Sequence, residues 1–264
     1  MIRVENLVVT FGRGTPLEKR ALDGVDIAIE AGEFVSVIGS NGAGKSTLLS
    51  AIAGDVAPSA GRMLIDDVDV TRQSTARRSA RVARVFQDPL AGSCGQLTIE
   101  ENLALAVARG SRRGLSHALT GERRDLFRTR VAALGLNLET RLHDKMALLS
   151  GGQRQALALV MATLAKSSVL LLDEHIAALD PGMAEFVTDL TRRTVEENHL
   201  TTLMVTHSMR QALDLGTRTI MLHEGNVVLD VKGEERAGLT VGALVAMFRR
   251  QRGQTIDDDA LLID

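Results

Sequence analysis

Apolar residues recur with a period near two over positions 2–9 and 25–29, which predicts strands with one face against a core. Between them lies a turn-rich stretch, GRGTPLEKRALDG. Positions 34–38 form a short apolar run ending in glycine, and 45–53 are rich in helix formers, so a buried strand should lead into a helix. Similar runs at 169–172, 203–205 and 220–222 are separated by segments long enough for helical crossovers. Such alternation predicts an α/β domain with a mainly parallel central sheet. Between Thr98 and Ala165 strand signals give way to helical punctuation. Thr98 followed by Glu101, and Ser150 followed by Gln153, read as capping boxes. A helical subdomain inserted into the sheet domain is therefore expected. Asp180 before Pro181 marks another helix start, with proline where its missing N–H costs nothing. The tail over 251–264 is polar and acidic and is expected to be flexible.

Composition narrows the classes. A chain of 264 residues, 45% hydrophobic, buries a substantial core as one large domain or two small ones. Its net charge of −2 lacks the basic excess that draws nucleic acid, so no nucleic-acid partner is expected. Cys94 is the single cysteine, so an internal disulfide is impossible, and a buried or incidental thiol is the expectation. The N-terminus lacks the apolar stretch of a signal peptide, and no apolar run reaches the roughly 18 residues of a membrane span. A cytoplasmic location follows as the expectation.

The densest chemical signal is GSNGAGKST: Gly39, Ser40, Asn41, Gly42, Ala43, Gly44, Lys45, Ser46 and Thr47. This is the phosphate-loop pattern, with a strand before it and a helix after it. Glycines let backbone N–H groups curl around phosphates, the helix offers its positive end, and the Lys45 ammonium reaches the β and γ phosphates. The Ser46 hydroxyl suits Mg²⁺. Far downstream, the 169–172 strand ends in Asp173 and Glu174. Asp173 there can hold Mg²⁺ through water, while Glu174 polarises an attacking water.

LSGGQ, ending in Ser150, Gly151, Gly152 and Gln153, resembles the signature motif of the ABC family of transport ATPases. Other motifs follow in that family's order: VFQDP with Gln87, AALD with Asp180 and VTHS with His207. The resemblance covers roughly residues 2–250. It implies a P-loop NTPase, an ABC ATPase with a RecA-like core, an antiparallel β subdomain and an inserted helical subdomain. The implied layout is a single domain over 1–250, its core at about 1–88 and 157–250 and its helical subdomain at about 89–156.

The resemblance also implies roles. ATP and Mg²⁺ would be the cofactors, with Mg²⁺ on Ser46, Gln87 and Asp173. Glu174, His207, Lys45 and Gln87 would be catalytic. The signature residues would meet the γ-phosphate held by a second copy of the chain, and Asp180 lies in the loop that crosses to that copy. A permease in the membrane, and in a complete system a substrate-binding protein, would be the other partners, placing the chain on the cytoplasmic face. Import is expected over export, and a soluble ABC protein or an inactive regulatory cassette are the competing classes. The extra C-terminal domain of some sugar importers is not expected. The segments GTPLEKRALDG, RVARVFQDP, LLDEHIAALDP and TTLMVTHSM are similar to ATPases encoded with a tryptophan/tyrosine-type binding protein.

Two positions depart from the family pattern. With no Trp or Tyr in the chain, adenine stacking falls to Phe11, for which core packing is the alternative. His175 stands where proline is common in relatives. The arginines from Arg109 through Arg113 to Arg130 read either as a solvated basic face or as a surface near the permease and lipid headgroups.

Overall fold

The computed structural model describes residues 1–111 and 117–252, with side chains through 248. Its contacts divide into two compact units, one formed by 1–75 with the chain from 199 onward, the other by 76–198.

The first unit begins with β1 (Ile2–Phe11) and β2 (Lys19–Ile29), paired antiparallel. Ile2 and Val4, then Leu7 and Val9, are buried, so the alternation slips by one residue in the middle of β1. Asn6 causes the slip. Its φ of 45° opens a bulge, and its N–H is held by the Asp26 carboxylate at 2.8 Å. β4 (Ala60–Ile65) and β5 (Val68–Asp69) complete this antiparallel sheet in the order β2-β1-β4-β5.

In the same unit β3 (Phe34–Gly39) lies between β8 (Thr201–Val205) and β9 (Arg218–His223), parallel to both. Every residue of β3 and β8 is buried, as expected of strands covered on two faces. β10 (Asn226–Lys232) pairs antiparallel with β9. α1 (Lys45–Ala53) follows β3. α7 (Met209–Leu215) and α9 (Val241–Arg252) pack Met209, Ala212, Leu244 and Phe248 onto Ile38 and Met221, while α8 (Gly233–Ala237) is short.

The second unit holds β6 (Val82–Val85) and β7 (Val169–Asp173), paired parallel with Val85 opposite Leu172. After the short α2 (Thr75–Arg78), its helices are α3 (Ile99–Val107), α4 (Gly121–Ala132), α5 (Gly151–Leu164) and α6 (Pro181–Asn198). Both expected capping boxes are present, at Thr98 with Glu101 and at Ser150 with Gln153. Ile99, Leu103, Phe127, Val131 and Leu157 form the apolar centre of α3, α4 and α5. α5 runs as one helix across position 156 to Leu164.

Two surface expectations are narrowed. Of the two readings of Cys94, burial falls away and the incidental thiol stands: it is exposed, because the buried Asn102 side chain accepts its N–H and donates to its carbonyl, fixing the loop by the backbone and turning the thiol outward. Arg109 is no solvated cation. Its guanidinium donates to the carbonyls of Ala162 and Ala165 at 2.8 and 3.1 Å, satisfying the end of α5. Arg124 pairs with Glu100 and Arg128 with Asp125. Arg113 and the acidic tail from residue 253 lie outside the described residues.

Candidate functional site

The first unit carries a prepared anion site. Gly39 closes β3 with φ 148°, where an added Cβ would stand 2.2 Å from the Leu222 carbonyl oxygen. Gly44 is the N-cap of α1 with φ 103°, and its Cβ would meet the Ala21 oxygen at 2.5 Å. Any other residue at these two positions would have to push the backbone apart. Between them Ser40, Asn41, Gly42 and Ala43 turn the chain, with the Ala43 N–H donating to the Ser40 carbonyl at 3.1 Å. The Lys45 ammonium donates to the Gly39 and Ser40 carbonyls at 2.8 and 3.0 Å, which braces the loop from within. No side chain caps α1, so its N-terminal end, with Ser46 exposed and Thr47 partly so, faces outward as a positive dipole terminus.

His207 lies at the same edge of the parallel strands. β8 runs beside β3 with Val205 opposite Val37, and the Thr206 N–H donates to the Val37 carbonyl. The Thr206 hydroxyl donates to the Gln211 side chain at 2.9 Å and accepts the Ser208 N–H, while Ser208 caps α7. His207 is therefore held between a strand end and a helix start, at the carboxyl edge where ligands of open α/β sheets bind. Phe11 ends β1 opposite Lys19 and is 45% exposed. The core-packing alternative does not hold for it, because this last residue of β1 projects beyond the covered part of the sheet.

The second unit carries the acids. β6 and β7 end side by side, so Gln87, exposed in the loop after β6, and Asp173 with Glu174 emerge at one edge. The Asp173 carboxylate pairs with the Arg84 guanidinium at 2.7 Å, both side chains being mostly buried, and that guanidinium lies 4.6 Å over the Phe86 ring. The buried Gln155 donates to the Phe86 carbonyl, anchoring the start of the Gln87 loop. Sequence reading missed both residues. A lone arginine within the apolar VARVF was the available hint for Arg84.

Glu174 adopts φ 45°, a left-handed conformation that costs a non-glycine residue about 1–2 kcal/mol. Its carbonyl accepts the Ala177 N–H. The next residue, His175, is buried, and its Nε2 lies 2.9 Å from the Thr191 hydroxyl on α6. Burial pushes the His175 pKa down from 6.5 to about 3. The folded chain thus refuses a proton that the unfolded chain takes up below pH 6.5, so stability is full above that pH and declines as pH falls toward 3. From pH 7 to pH 5 this one group should cost about 2 kcal/mol, at 1.36 kcal/mol per unit. Urea unfolding at the two pH values should show that loss, reduced by a similar amount in His175→Gln; equal pH slopes for the two proteins would show that His175 is not the group responsible.

Ser150 opens α5. Its hydroxyl accepts the Gln153 N–H, and the Gln153 side chain accepts the Ser150 N–H in return. The two glycines that follow differ. A Cβ on Gly152 would meet Met183 atoms at 2.6–3.0 Å, whereas one on Gly151 would meet nothing within 4 Å. Packing within the unit requires only Gly152 to be small. Asp180 caps α6, its carboxylate accepting the Met183 N–H at 3.1 Å.

Among the described residues no helix is long and apolar enough to cross a membrane. The family model described as ABC transporter matches residues 22–177. A tyrosine transport ATP-binding protein of Clostridioides difficile (strain R20291) is 44% identical over 248 residues, 94% of this chain and 98% of that protein. A thiamine import ATP-binding protein, ThiQ, of Yersinia pestis is 38% identical over 78% of this chain and 82% of its own length. Among solved structures, a dimeric ATP-binding cassette in a post-hydrolysis state bound to ADP and Pi superposes with a TM-score of 0.76 at 30% identity, covering 88% of this chain and 98% of that one.

Proposed function

Because this chain belongs to the ABC transporter family as its ATP-binding, ATP-hydrolysing cassette, we propose that it drives solute import through a separate permease by closing and reopening a homodimer around ATP. One observation carries the reading. The chain presents two helix N-termini suited to phosphate: α1, which no side chain caps, and α5, whose exposed Gly151 is small without any packing reason of its own. The first suits nucleotide bound by the chain itself, the second the γ-phosphate held by a partner copy.

In this reading Gly39 to Thr47 cradle the phosphates and Lys45 offsets their charge in ground and transition states. The Glu174 carboxylate orients water and accepts its proton, His207 contacts the γ-phosphate, and Phe11, exposed at its strand end, stacks on adenine. Asp180 lies in the loop facing the other copy. A hydroxyl at Ser46, a side-chain amide at Gln87 and a carboxylate at Asp173 make an all-oxygen donor set of the kind Mg²⁺ takes, and Mg²⁺ held by them would neutralise charge on the β and γ phosphates. The domain reads as one ATPase over 1–250 with a helical subdomain near 89–156, working at the cytoplasmic face of the membrane and, in the complete system, with a substrate-binding protein. The relative named for thiamine import supports the direction of transport.

Affinity purification of the tagged chain from detergent-solubilised membranes of its own cells tests this. A multi-spanning protein should co-purify in near-stoichiometric amount, and its ATP hydrolysis should rise when both are placed together in vesicles with solute. Recovery with soluble proteins alone would overturn the transport assignment.

A further inference from the structure

The strained backbone at Glu174 requires something to hold it. A non-glycine residue stays left-handed only where its surroundings over-determine it. On one side Glu174 is held by β7, which is paired with β6 up to Leu172. On the other side the restraint comes from the residue after it. His175 is 2% exposed and reaches Thr191 on α6, on the buried stripe Val187, Thr191, Val195 that recurs every four residues.

The hydrogen bonds also define the tautomer. The Thr191 hydroxyl donates to the Val187 carbonyl at 2.7 Å, so its single proton is already used. Toward His175 it can only accept, and Nε2 must therefore carry the ring proton. Nε2–H then Thr191 Oγ1 then the Val187 carbonyl is a directed chain of donors, ending in the backbone of a helix of 18 residues.

Resting on the assignment of Glu174 as the group that orients water, we propose that His175, tied to Thr191, is a positioning residue that holds the Glu174 backbone in its left-handed conformation and so aims the carboxylate. His175 does not touch nucleotide and exchanges no proton during turnover. It acts as a neutral tether whose rigidity is transmitted through one peptide plane. A 1 Å error in aim at the attacking water is enough to slow such a step by about two orders of magnitude.

The prediction separates kcat from KM. Asparagine cannot place its amide nitrogen where Nε2 stands, whereas glutamine can, so His175→Asn should lower kcat about tenfold or more with KM for ATP within about twofold. His175→Gln should recover most of the turnover. Thr191→Val, which keeps shape and removes the acceptor, should reproduce the asparagine result, and Thr191→Ser should not. In a Glu174→Gln background His175→Asn should have no further effect on the residual rate, because there is no carboxylate left to aim. Fluorescent-nucleotide titration and thermal melts on each variant identify any that fail to fold, and in that event Thr191→Val carries the test. Wild-type kcat in folded His175→Asn or Thr191→Val, with Glu174→Gln inactive, would overturn the tether alone. Full turnover in Glu174→Gln would overturn the assignment of Glu174 and the tether with it.

Discussion

Glu174→Gln should bind ATP within a few-fold of the wild type yet lose turnover by at least about 100-fold, the usual worth of a positioned general base. The substitution keeps the shape of the side chain and removes only the charge proposed to polarise water. Lys45→Ala should behave differently, weakening ATP binding by about tenfold or more and abolishing hydrolysis, because in the proposed site its ammonium serves the phosphates before and during the reaction. The structure adds a reason for the loss of binding. Lys45 also braces the loop through the Gly39 and Ser40 carbonyls, so alanine removes an internal support along with a ligand contact. Colorimetric phosphate release and fluorescent-nucleotide titration on the same preparations separate the two effects. Near-normal hydrolysis by Glu174→Gln would remove that residue from the chemistry.

Assembly should follow the nucleotide. Without it, sizing should show mainly monomer; Glu174→Gln with ATP should move to dimer, and ADP should leave it monomeric. In the proposed arrangement each complete site needs the phosphate loop of one copy and Ser150 to Gln153 of the other, so the γ-phosphate would be the contact both chains share. Ser150→Arg added to Glu174→Gln should prevent the shift by filling the γ-phosphate gap, while ATP binding to the monomer persists. Ser150 is exposed and its capping bonds lie within the first turn of α5, so the larger side chain projects outward without disturbing a core. A double variant that still dimerises with ATP would show that the signature does not act across an interface.

Local patterns in the sequence were good guides wherever structure is made by neighbours in the chain. α1 and both capping boxes appear where the patterning puts them, because their hydrogen bonds span three or four residues, and the strand into the phosphate loop is found from its continuous apolar run even though its partner strands are far off in the chain. The β4–β5 hairpin was harder to see. Its turn is Asp66-Asp67, both at positive φ, where the usual glycine signal is missing. The supports of the site were not legible at all. Arg84 meets Asp173 from 89 positions away and Gln155 meets Phe86 from 69, and neither spacing leaves a periodic trace. His175 was visible as a departure, but its meaning depends on Thr191, a polar residue buried on an apolar stripe of α6 that only folding brings into reach.

The two signature glycines answer to different judges. A side chain at Gly152 collides with Met183, and although the tip of that methionine can move, its Cβ at 3.0 Å cannot move far. Such a variant is a folding defect, and cellular proteases would register it as missing protein. A side chain at Gly151 meets nothing. The variant would be made in normal amounts, melt at the normal temperature and pass every quality check a cell applies to a monomer. In the proposed dimer it would then take a wild-type copy's place on the permease and spoil one of the two sites, so a defective copy made beside a healthy one would lower the transport the healthy one carries.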